Sequence, residues 1–181
     1  MIPLNALKAP KKLYLLVLVM AVFIVGVGWY GTRELKIIHQ QTHTLYTDRL
    51  IPMEQLSSVR FAYAVGILST ARQLESGEIS FQQAEDQLLQ AERTISSRWN
   101  AYMLTYLTPE EKERVTEAAL KIQLATRAIE HFKIALAKKD IRILDTVIAN
   151  NLNPAVNAVI NNVNELMALQ VRVSAEIYKE A

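Results

Sequence analysis

No cysteine occurs in the chain, so no disulfide marks its compartment, and a periplasmic location is allowed without being required. Glycine and proline are scarce, at five each, and aromatics are few. Ala, Leu, Ile, Val, Glu, Gln and Arg dominate instead, which is the composition of a helical bundle. No segment alternates polar and apolar residues over a useful length, so strands are not expected. The formal net charge is only +2, and no basic cluster lies outside the flank of the first apolar run. Nucleic acid is therefore not an expected partner. A nucleophile–base constellation, a glycine-rich phosphate loop and a convincing metal cluster are all missing, which argues against an enzyme and against a cofactor.

What the chain does have is one long uncharged stretch, Leu13 to Tyr30, and no second one after it. As a helix it is about 27 Å long, enough to cross a bilayer core. Lys8, Lys11 and Lys12 precede it, and Trp29 and Tyr30 end it with side chains that favour the membrane interface. A secretory signal is shorter and leads to a small-x-small cleavage site, whereas Gly28-Trp29-Tyr30-Gly31 offers no Ala-x-Ala. A retained anchor is the expectation. Arg33 and Lys36 follow closely, so the positive-inside bias is modest and points to a cytoplasmic N-terminus with an external body. The expected layout is residues 1–12 cytoplasmic, 13–32 transmembrane and 33–181 a single periplasmic domain.

Helix punctuation divides that body into four. The first helix continues from the membrane to about Glu75, where Ser76-Gly77 supplies a stop. Ser80 and Gln83 form a capping box for the second, which runs through Leu88, Ile95, Trp99, Tyr102 and Tyr106. The third opens with Thr108-Pro109-Glu110-Glu111, a cap, a first-turn proline and acids against the dipole. Its apolar seam is Val115, Ala119, Ile122, Ala125, Ile129, Phe132 and Leu136. Asp140 caps the fourth, with a seam from Leu152 through Val156, Val159, Val163, Leu166, Gln170 and Val173 to Ile177. Short connections make neighbours antiparallel, so the expected fold is an all-α, up-down-up-down four-helix bundle extending from the transmembrane helix. The fourth helix then returns toward the membrane.

This layout resembles the four-helix-bundle sensor domain of bacterial methyl-accepting chemotaxis proteins. The residues that carry the resemblance are Leu45-Tyr46-Thr47-Asp48-Arg49-Leu50-Ile51-Pro52, Ala62-Tyr63-Ala64-Val65 and Trp99-Asn100-Ala101-Tyr102. Tyr106-Leu107-Thr108-Pro109-Glu110-Glu111 and Leu169-Gln170-Val171-Arg172-Val173 complete it. The resemblance implies a homodimeric periplasmic receptor for small molecules, in the bacterial inner membrane. It also implies a second membrane helix and a cytoplasmic output that controls a kinase. In aspartate-sensing members the ligand arginines are closely spaced on the first helix, whereas this chain has Arg49, Arg60 and Arg72. That departure argues against the same amino-acid ligand. Two other functions stay open: a membrane-anchored scaffold that binds proteins and no metabolite, and the sensor of a histidine kinase or diguanylate cyclase.

Several residues invite specific expectations. Pro52 lies inside the first helix and predicts a kink. Arg49 falls on the apolar seam, and levelling the distal ends at Glu75 and Asp140 sets it beside Glu165, as a structural ion pair or a ligand contact. The same alignment brings Arg60 and Tyr63 level with Asn153 and Asn157, beside Pro154. The fourth helix is rich in asparagine, a poor helix former, and Asn153, Asn157, Asn161 and Asn164 make a polar stripe along it. This stripe reads either as a solvated face or as a hydrogen-bonding wall for a polar ligand, a carboxylate held by Arg60 with Tyr63 against its carbon skeleton. His39 and His43 stand at i and i+4, but no third metal ligand is evident. Trp99, Tyr102 and Tyr106 read as core aromatics.

Overall fold

The computed structural model describes residue 14, residues 16–30 and residues 49–180. The chain divides into two compact units, Met1–Thr44 and Leu45–Ala181. In the first, residues 16–30 form a helix, α1, whose side chains are exposed all round, Phe23 and Ile24 as much as Leu16. Among the described residues no helix is long and apolar enough to cross a membrane. The expected span over 13–32 includes residues 13, 15, 31 and 32, which lie outside the described residues, as does the stretch that would carry the first helix on from it.

The second unit is built from four helices, and among its described residues there is no strand. α2 runs through Ile51–Phe61, a π-helical stretch Ala62–Ser69 and Thr70–Glu75. α3 is Phe81–Met103 and α4 is Pro109–Lys138. α5 comprises Ile141–Val147, a second π stretch Ile148–Leu152 and Asn153–Glu180. We call the end where α2 begins the lower end.

The turns form where the sequence supplies their chemistry. Gly77 takes φ +72°, and the Gly77 and Glu78 amides donate to the Leu74 and Gln73 carbonyls, closing α2. Ser80 and Gln83 complete the expected capping box, and so do Thr108 and Glu111, with Pro109 in the first turn of α4. Lys139 adopts φ 54° after α4, and the Asp140 side chain then accepts the Arg142 amide to start α5. Two details differ from the sequence reading. α3 stops at Met103, so Tyr106 sits exposed in the loop instead of the core, held out by the chain reversal before Thr108. On α4 the buried alanine is Ala118 and not Ala119, because the seam enters through Val115 by a step of three.

The core explains the π stretches. Leu56, Val59, Tyr63, Ile67, Ala71 and Leu74 are the buried seam of α2, and Leu144, Ile148, Leu152, Val156, Val159, Val163 and Leu166 that of α5. Each seam contains consecutive steps of four, Val59 to Ala71 and Leu144 to Val156. An α-helix turns once in 3.6 residues, so each step of four drifts by about 40°. Wider π turns take up that drift and keep the seam facing inward. Pro154 adds a local cause, because it offers no N–H to the Asn150 carbonyl. The Asn153 amide reaches back to Ile148 instead. Ala62–Ser69 packs on α3 and on the part of α5 that begins at Asn153. Gly66 makes this approach close: a Cβ there would lie 2.5 Å from that of Ala91. Pro52 is buried near the start of Ile51–Phe61; Arg49 and Leu50 before it are themselves π-helical, Leu50 at φ −70° and ψ −42°, and the residues before Arg49, on which the expected kink depends, lie outside the described residues.

Candidate functional site

Arg49 shows how the lower end is organised. Its guanidinium is buried and donates to Gln170 Oε1 at 3.0 Å, with Glu111 Oε1 3.5 Å away. The Gln170 amide donates in turn to Glu111 Oε1. Glu111 Oε2 accepts the Thr108 amide at 2.6 Å, so the carboxylate that caps α4 also closes this network. The Tyr102 ring packs beside it, 5.6 Å from that of Trp99. Burial, chiefly, pushes the Tyr102 phenol up to about 12; Glu111 adds to the shift, while Gln170 and Arg49 oppose it. The starts of α2 and α4 and the body of α5 are thus tied by one buried charge pair and an amide bridge whose acceptors are shared, with the end of α3 packed beside them.

The expected pair of Arg49 with Glu165 is corrected here. Glu165 is exposed and takes Arg114 of α4 at 3.1 Å. The reason is register. Levelling the helices at Glu75 and Asp140 is wrong by more than a turn, because Glu75 stands near Asp145: its carboxyl is pushed up, first by burial and then by that neighbouring acid. Every level along α5 shifts accordingly. Three turns along each helix from the Arg49–Gln170 pair, Arg60 stands level with Val159 rather than Pro154.

The four residues expected to hold a ligand therefore meet differently. Arg60 is exposed and has no ion pair among the described residues. Asn157 is exposed and Asn153 half-buried on α5. Tyr63 is enclosed in the core instead of lining a surface, and burial, with the charge of Glu92 on α3, raises its phenol. Arg60 can accept a carboxylate from outside the bundle, and the two asparagines can offer amides; Tyr63 can support them only from within. Beside Arg60 on α2, Phe61 is 63% exposed and Val65 45%. His39 and His43 lie outside the described residues.

Sequence reasoning missed Glu111 and Gln170 as the partners of Arg49. The signal was available, since Gln170 is a polar residue on an otherwise apolar seam. It also missed Asn162, the asparagine of α5 that is buried, at 1% exposure, with neither amide atom hydrogen-bonded among the described residues.

The pattern of the whole bundle decides the family. A four-helix-bundle sensory module for signal transduction matches residues 6–181. The chain belongs to that family. It is 31% identical over 169 residues to the methyl-accepting chemotaxis protein NahY of Pseudomonas putida, an alignment that covers 92% of this chain. The chain spans 31% of that relative's length. No solved structure matches.

Proposed function

We propose that this sensory module is the receiving part of a homodimeric chemoreceptor that responds to a small organic carboxylate. Residues 13–32 anchor it in the bacterial inner membrane, 1–12 stay in the cytoplasm, and 33–181 lie in the periplasm. The anchor is supported by α1, whose apolar side chains are exposed all round and need a covering that is not water. In this reading the protein transmits occupancy of its bundle and does not catalyse a reaction.

One observation carries the ligand and dimer reading: exposed Phe61 and Val65, four apart on one face of α2, lie next round the helix from an Arg60 that has no ion pair among the described residues. Pairing α2 of one protomer with α2 of its partner covers the apolar pair and lowers the dielectric around Arg60, which then grips a carboxylate more firmly. Asn153 and Asn157 supply amides at the rim, with Tyr63 as the floor behind. Binding shifts an equilibrium between two placements of α5 by the difference in affinity for them. The test is a screen of organic acids by thermal shift, then calorimetry on Arg60→Ala and Asn157→Ala, with sedimentation at each ligand concentration. A confirmed ligand that binds both variants as tightly as the parent sinks the site; a monomer at every concentration, with ligand and without, sinks the dimer.

A further inference from the structure

An open groove of about 410 Å³ runs between α4 and α5, on residues the α2–α5 reading does not use. Its α4 side presents Lys121, Arg127 and His131, and its α5 side Asn150 and Asn151. Among the described residues no acidic residue lines it. Of the nearby acids of α4, Glu117 already pairs with the groove's own Lys121 at 2.5 Å, and Glu130 holds Lys133, outside the lining, at 3.0 Å. Arg127 keeps an exposed guanidinium with no ion pair among the described residues. The groove is nonetheless mostly apolar between these groups. Leu124, 58% exposed, faces it beside Ala128, with Ala155 and Ala158 across on α5.

The α5 wall continues to Asn162. Asn151, Ala155, Ala158 and Asn162 are spaced by four, three and four, so they share one helical face. Asn162 is buried, and both its amide atoms lack a partner among the described residues. A buried amide with nothing to bond is uncompensated, and here it stands one turn past the groove lining. Cation, free amides and apolar wall together are the elements of a pocket for an amphipathic anion.

We propose that the α4–α5 groove is a separate binding site for a small organic carboxylate with an apolar body. Arg127 pairs with the carboxylate as a two-pronged donor, Asn150 and Asn151 hydrogen-bond it from the other wall, and Leu124 and Ala155 cover the carbon chain. The site is independent of Arg60 and of any dimer contact along α2.

The experiment uses the full chain in lipid nanodiscs, titrated calorimetrically with sodium hexanoate and, as the neutral match, hexanamide, with empty nanodiscs subtracted. Saturable binding of hexanoate is expected, at least tenfold tighter than hexanamide. Arg127→Ala should weaken hexanoate at least tenfold, while Arg93→Ala, which removes an exposed cation from α3, leaves it within twofold. Both side chains are exposed, so both variants should keep the parent's melting temperature. Absence of saturable hexanoate binding overturns the proposal, as does equal binding of the amide. Undiminished binding by Arg127→Ala also overturns it. If Arg60→Ala abolishes binding while Arg127→Ala does not, the ligand belongs on α2 and the groove is not its site.

Discussion

The Arg49 guanidinium and the Glu111 carboxylate face each other at 3.5 Å with both side chains shut off from water, one at the foot of α2 and the other in the first turn of α4. Glu111 thereby serves two ends at once: it caps its own helix through Thr108 and neutralises a cation from another. Gln170 bridges them from α5, so losing any of the three leaves the others with unmet polar atoms.

Arg49→Ala should therefore cost about 3 to 5 kcal/mol, because it leaves a buried carboxylate unpaired. Arg60→Ala, at an exposed position, should cost less than about 0.5 kcal/mol. Urea denaturation of the two variants decides; equal midpoints would contradict the network.

Glu165→Ala should be mild, within about 1 kcal/mol, since its pair with Arg114 is half-exposed on both sides. A loss as large as that of Arg49→Ala, measured in the same denaturation series, would mean that Glu165 is doing more than this surface pairing.

Gly66→Ala sets two effects against each other. Helix propensity favours alanine by about 1 kcal/mol. The new methyl would meet the Ala91 Cβ at 2.5 Å, and overpacking of that kind costs about 1 to 3 kcal/mol. Net destabilisation is expected, and Ala91→Gly in the same chain should relieve most of the clash. Thermal melts of the two single variants and the double variant measure the coupling.

Tyr102 gives a prediction in alkali. Burial holds its phenol up at about 12, above the ordinary 10.0, so between those values the folded state holds a proton that the unfolded state has lost. Stability from this group is complete below pH 10 and falls as pH rises toward 12. Tyr102→Phe should flatten that fall, and phenolate absorbance should lose one late-titrating tyrosine. An unchanged slope would show that Tyr102 titrates alike in both states.

The architecture was readable from local chemistry. Ser80 with Gln83 and Thr108 with Glu111 are contacts within four residues, so their types and spacing suffice to place two helix starts. Which residues face each other across the bundle was not readable in the same way. Register between α2 and α5 depends on how many residues each spends in turns and π stretches, and no local pattern near Arg49 records that number. An offset of more than one turn at Glu75 and Asp145 carried through to the foot of the bundle, exchanging Gln170 for Glu165. Tyr63 was misjudged for a related reason: its place in the seam of fours buries it, while the adjacent residues of α2 stay outside.

The wide turns in Ala62–Ser69 and Ile148–Leu152 also set how motion converts along the bundle. Taking one residue into or out of a wide turn moves everything beyond it along the axis by only about 1.5 Å, but rotates it by about 100°. The stretch of α5 below Val156 is thus geared to the upper half: a small change in pitch there emerges near Gln170 as rotation. The buried Arg49–Gln170–Glu111 network is then the detent that such a rotation must disengage before α5 can turn.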